Sequence, residues 1–151
     1  MKRYFGSLLL RLLRGGVVLR KGEHQIVSAM LAELPDHLRE TVESQFNEYN
    51  LVQREADGRE LNFYKMGLLS GRPLQPRALL HGNSENAPLI RVSVSTSGAV
   101  EPLYGTLSVA AGRAFCASFS RPVPEVRREE ALKITKVTHA WQSNFPARSD
   151  A

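Results

Sequence analysis

The chain has 151 residues, of which 42% are hydrophobic and 23% are charged, and its formal net charge at pH 7 is +5. These values are typical of a globular domain and argue against an intrinsically disordered protein. The single cysteine, Cys116, excludes an intrachain disulfide and a cluster of thiolate ligands, and fits a reducing compartment.

The positive charge is concentrated at the N-terminus. The first 22 residues carry six basic side chains and no acidic one, whereas the rest of the chain carries 14 basic and 15 acidic side chains. Attraction to an anionic partner is therefore assigned to a short arm, residues 1–21. The basic residues that we consider for contact with a membrane or a partner are Arg3, Arg11, Arg14, Arg20 and Lys21.

Residues 3–14 have the pattern of an amphipathic helix that ends at Gly15-Gly16. Its apolar face is formed by Phe5, Leu8, Leu9, Leu12 and Leu13. Arginines interrupt the apolar stretch, so it resembles neither a signal peptide nor the ~20-residue run of a spanning helix. We therefore expect a cytoplasmic protein.

Two further helices are predicted over residues 23–34 and 35–47. Val27, Met30, Leu31 and Leu34 recur at helical spacing in the first, and Pro35 suits the first turn of the second.

In the segments that follow, apolar residues recur at every second position, which is the spacing of a β-strand. Segments 49–55 and 59–66 flank Asp57-Gly58, which predicts a hairpin with positive φ at both turn residues. In this register Val52 lies opposite Phe63 and Leu51 opposite Tyr64. It also sets Glu55 opposite Glu60, a mildly unfavourable pair, so a longer loop in another register remains an alternative. The glycine- and proline-rich residues 67–88 are predicted to form a long loop.

Four further strands are predicted, over residues 89–96, 102–110, 114–120 and 131–141. The first alternates, with Ile90, Val92 and Val94 on one face and Arg91, Ser93 and Ser95 on the other. Gly105 falls on an inward face, which suggests a bulge or bend there, and Phe115 is assigned inward. In the last strand the apolar pattern changes phase, which a bulge near Thr135 would explain.

Together these elements predict an α+β fold, in which two or three N-terminal helices pack on one face of an antiparallel, meander-like sheet of five to six strands. The predicted organisation is an arm at 1–21, a single domain at 22–145 and a flexible tail at 146–151.

No motif indicates a catalytic, cofactor or metal site. The histidines lack metal-ligand spacing, and no phosphate-binding glycine loop or nucleophile elbow is present. Nothing near Cys116 in the sequence would activate its thiol, which favours a packing role. We therefore expect no cofactor and no metal, and we lean against an enzyme.

The leading interpretation is a non-enzymatic binding or protein-interaction module whose partner is an unknown protein or a second copy. Its contact surface would be the N-terminal helix, the 67–88 loop or an exposed sheet face. Nucleic acid is disfavoured, because the body of the chain is near neutral and its aromatic residues do not alternate with basic ones.

Two alternatives remain open. One is a small-molecule-binding protein, or a modest enzyme, with a cavity between helices and sheet. Its candidate pocket residues are Tyr64, His81, Arg91 and Tyr104. The other is a peripheral membrane protein held at the surface by residues 3–20.

Overall fold

The computed structural model describes residues 19–67, 70–82, 86–95, 100–125, 132–141 and 145. Within these residues two helices precede seven strands, which confirms an α+β fold with an antiparallel sheet and one strand more than the upper end of the predicted number. The helices are α1 (Lys21–Ala32) and α2 (Asp36–Glu48). The strands are β1 (Leu51–Arg54), β2 (Glu60–Met66), β3 (Pro73–Leu74), β4 (Ala87–Ser95), β5 (Leu103–Ala110), β6 (Arg113–Phe119) and β7 (Lys133–His139). The predicted helix over residues 3–14 and the predicted tail at 146–151 lie outside the described residues.

Both helices start close to the predicted positions. The backbone N–H of Arg20, the residue before α1, donates to Glu23 Oε2 at 2.7 Å, which satisfies a free donor at the helix start. Pro35 precedes α2 as its N-cap, where its φ of −63° leads directly into the first turn.

The sheet is only partly a meander. Strands β4, β5 and β6 follow one another as neighbours, but the order across the sheet is β1-β2-β6-β5-β4-β7, with β3 paired to β2 in addition. The chain therefore places β2 beside β6 and returns at its end to add β7 beside β4.

The β1–β2 hairpin has the predicted register, with Val52 opposite Phe63 and Leu51 opposite Tyr64. Its turn differs from the prediction, because only Gly58 has a positive φ, of 70°. The Asp57 side chain instead accepts a hydrogen bond from the Arg59 N–H at 2.9 Å. Asp57 therefore stabilises the turn through its side chain, and its own backbone is not left-handed.

The core lies between the helices and the inner face of the sheet, and Gly105 is part of it. Gly105 pairs in regular register with Val92 and Phe119, so the expected bulge is not there. A Cβ built on Gly105 would lie 2.8 Å from Met30 Cε, which shows that the glycine makes room for a helix side chain.

Bulges do occur elsewhere in the sheet. The register between β4 and β7 shifts at Thr135, as predicted, and Thr135 Oγ1 donates to the carbonyl oxygen of Ser93 at 3.1 Å. A second shift lies in the pairing of β5 with β6, where Phe115 has no partner on β5 and Ala114 lies opposite the core residue Val109. Ala114 therefore occupies the inward position, and the inward assignment of Phe115 is wrong.

Two buried polar side chains also tie the helices to the sheet. Glu23 accepts from Arg54 at 2.9 Å (Nε to Oε1) and 2.5 Å (Nη2 to Oε2). Gln45 donates to the carbonyl oxygens of Ala78 and Gly112 and accepts from the Ala114 N–H. Their hydrogen-bonding capacity is used inside the fold, so we assign both to structure.

Candidate interaction surface on the outer face of the sheet

The outer face of the sheet is the side that points away from α1 and α2. Side chains alternate along a strand, so the residues between the core positions of each strand share this face. The pairing register places five of them in one line across five strands, here called the central row. In order from β7 to β2, the central row is Thr138, Arg91, Thr106, Ser118 and Glu60.

The end of this face near β7 is basic. A depression of about 160 Å³ crosses β7, β4 and β5, and Arg91 and Lys136 line it together with hydroxyl side chains. Tyr104 lines the same depression and is 57% exposed. Among the described residues that line it two are basic and none is acidic.

The opposite end of the face is acidic. A depression of about 450 Å³ lies at the β1–β2 hairpin, and Glu55, Asp57 and Glu60 outnumber Arg59 among its lining side chains. Asn62 holds two of the carboxylates in place, because its amide nitrogen donates to Glu60 Oε1 at 3.1 Å and to Glu55 Oε1 at 3.4 Å.

Cys116 lies beside these carboxylates and is buried, with 6% of its surface exposed. Burial raises the pKa of its thiol to about 12, and the negative charges of Glu60 and Glu55 and a hydrogen bond to Glu60 act in the same direction. The thiol is therefore protonated at neutral pH and is a poor nucleophile.

The two charged residues of the central row, Arg91 and Glu60, lie at equal distances on either side of the boundary between β5 and β6. Arg91 and Glu60 are three strands apart, which corresponds to about 14 Å at the usual strand spacing. Thr106 and Ser118 lie between them, so the midpoint falls between β5 and β6. From Arg91 to Glu60 the row is symmetric about this midpoint with the charge reversed, and Thr138 at the β7 end has no counterpart in the row.

The structure brings together two of the four residues considered for a pocket. Arg91 and Tyr104 line the basic depression, but on the outer face of the sheet. Tyr64 lies on β2 and His81 is exposed in the segment before β4, and neither lines that depression. Between α1 and β5, the space over Gly105 is occupied by Met30.

The basic residues of the arm are described only in part. Arg20 is the exposed N-cap of α1, and Lys21 is its exposed first residue. Arg3, Arg11 and Arg14 lie outside the described residues.

Sequence reasoning did not single out Glu60 or Lys136. The alternation of β4 did indicate that Arg91 and Ser93 point away from the core, and the hairpin register did place Glu55 opposite Glu60. The missing information was the strand order, which puts these segments on one surface.

Within the part of the chain that the structure describes, no three His, Cys, Asp or Glu side chains form a group suited to a metal ion. In the same residues, no helix combines the length and apolar character needed to cross a bilayer. Comparison with protein-family models, with curated protein sequences and with solved structures yields no match to this chain.

Proposed function

We propose that this protein is a non-enzymatic interaction module that pairs with a second copy of itself through the outer face of its sheet. The observation that carries the proposal is the placement of two opposite charges, Arg91 and Glu60, at equal distances from the boundary between β5 and β6. A surface of this kind is complementary to itself.

In the proposed dimer a two-fold axis relates the two copies. The axis runs parallel to the strands between two facing sheets and passes over the boundary of β5 and β6. It sets Arg91 of each copy opposite Glu60 of the other, and Thr106 opposite Ser118. The contact is isologous and closed, so it yields a dimer and not a chain of molecules.

The spacing of packed sheets allows these contacts. Sheets that pack face to face lie about 10 Å apart, a gap that an arginine and a glutamate from opposite sides span together. Their strands run within about 30° of each other, which keeps neighbouring positions of the row in reach.

The composition of the face sets the expected strength. Tyr104 supplies exposed aromatic surface for burial, but serine and threonine dominate the middle of the row. Charged pairs give orientation and specificity more than affinity. We therefore expect a reversible dimer that weakens as salt concentration rises.

The test is sedimentation equilibrium of the full-length protein and its charge-reversal variants. Arg91→Glu and Glu60→Arg each place like charges together at two points of the contact, so each raises the dimer dissociation constant by at least about 10-fold. The double variant restores both opposite-charge pairs and recovers most of the affinity.

The matched control is Arg72→Glu, which makes the same charge change at an exposed arginine that lines neither depression. It should leave the dissociation constant unchanged. A protein that is monomeric at all concentrations, or a dimer indifferent to both reversals on the outer face, would rule out the proposed contact.

A second candidate is the binding of a small anion in the basic depression. It is favoured by Arg91 and Lys136, which share one depression with hydroxyl groups, and no residue that the structure describes in its lining is acidic. A titration with inorganic phosphate, followed by backbone amide chemical shifts, tests it. The double variant separates the two candidates, since it restores pairing but not a cationic site.

A further inference from the structure

A groove with an apolar lining lies between α1 and α2, away from the outer face of the sheet. Its volume is about 420 Å³, and its apolar lining is formed by Leu19, Val27, Leu31 and Phe46. Leu19, Leu31 and Phe46 pack against the core yet remain only partly buried. Apolar surface of this kind is stabilised when a further hydrophobic element covers it.

The chain itself leads into this groove. The residues before Leu19 belong to the N-terminal arm, and Leu19 is the point where the described chain begins and also part of the groove lining. A segment attached at the edge of a groove has a high effective concentration there, so the arm is favoured over an independent partner.

The sequence of the arm matches the groove in length and character. Residues 3–14 present an apolar face, and as a helix they would be about 18 Å long. This equals the length of α1, which also has 12 residues. Gly15-Gly16 allows the sharp change of direction that a return towards the helices requires.

The charges are compatible with the same placement. Glu43 lines the α2 side of the groove, and Glu40 lies one turn earlier on the helix, where both are exposed. The arm carries only basic charges. Its arginines can stay in water near these carboxylates while its leucines are covered.

We propose that residues 3–14 dock as a helix in the groove between α1 and α2 of the same chain, with Leu8, Leu9 and Leu12 against Leu31 and Phe46. The arm then completes a layer of three helices on the inner face of the sheet. Its basic side remains outside, available to an anionic partner.

Hydrogen exchange of the full-length protein tests this inference. We expect backbone amides in residues 8–13 to exchange at least about 10-fold more slowly than in an unstructured peptide. Ser28→Arg places a long charged side chain in the groove, because Ser28 is exposed and lines it. This variant should return the arm amides to fast exchange while the amides of β4 and β5 stay protected.

The matched control is Ala32→Arg, at an exposed position of α1 that does not line the groove. It should leave the arm protected. Unprotected arm amides in the parent protein, or protection that survives Ser28→Arg, would overturn the proposal. Protection that disappears on dilution would show that the arm docks into a second copy. Protection that requires phosphatidylserine vesicles would show that the arm binds a membrane. Either result would also overturn docking within the same chain.

Discussion

At the scale of single residues, the most consequential contact is the ion pair between Glu23 and Arg54. The two side chains are 2% and 11% exposed, and they join the start of α1 to the edge strand β1. Burying two charges is costly, so such a pair adds little net stability, but removal of one partner leaves a buried charge without compensation.

We predict that Glu23→Gln lowers the free energy of unfolding by about 3–5 kcal/mol, because the Arg54 guanidinium loses its counter-charge. The control is Asp36→Asn, which breaks the pair between Asp36 and Arg39, whose side chains are 81% and 34% exposed. It should cost less than about 1 kcal/mol. Urea unfolding measures both, and equal losses would contradict the assignment of Glu23 to the core.

A second prediction at this scale concerns Cys116. Its pKa of about 12 and its burial predict that a thiol reagent at pH 8 modifies the folded protein at least about 100-fold more slowly than the denatured chain. Because the pKa is raised, reactivity should increase only at strongly alkaline pH or on unfolding. Equal rates in buffer and in denaturant would show an accessible thiolate and contradict this description.

At the scale of elements, the contact between α1 and β5 depends on Gly105. A methyl group there would meet Met30 Cε at 2.8 Å and the Phe119 ring at 3.3 Å. The flexible end of the Met30 side chain can move, whereas the Phe119 ring has less freedom. One of these two neighbours must shift to accommodate the methyl group.

We predict that Gly105→Ala destabilises the protein by about 1–2 kcal/mol through overpacking. In a Met30→Leu background the same change should cost less, because the shorter side chain leaves room for the methyl group. A double-mutant cycle in urea measures this coupling. Additive losses would show that Met30 does not determine the cost.

The elements also show what sequence could predict. The β1–β2 register follows from Asp57-Gly58 and the alternation around it, and the Thr135 bulge follows from a change of phase within one strand. Both depend on local residues. The role of Gly105 depends on Met30, which lies far away in sequence, so a local pattern could suggest only an irregular strand.

At the scale of the whole molecule, the same limit applies to the candidate surface. The charged residues of the outer face come from strands that are distant along the chain, and only the order β1-β2-β6-β5-β4-β7 sets them on one face. Local alternation shows that Arg91 points outward, but nothing local relates it to Glu60. Charge symmetry of the face is therefore a property of the fold.

The whole molecule then presents two distinct surfaces. The outer sheet face carries the charges that we propose to pair with a second copy, and the groove on the helical side has the apolar lining that we propose to receive the arm. A change in one surface should leave the other intact. Ser28→Arg is therefore expected to release the arm without altering the dimer dissociation constant.

The central claim, pairing through Arg91 and Glu60, is tested most directly by mixing two variants. Arg91→Glu and Glu60→Arg proteins, each weakened in self-association, are combined in equal amounts and examined by sedimentation equilibrium. In a mixed pair both cross-subunit contacts join opposite charges, so we expect heterodimers at concentrations where each variant alone is monomeric. A mixture that sediments as the sum of its two monomeric components would contradict pairing through Arg91 and Glu60.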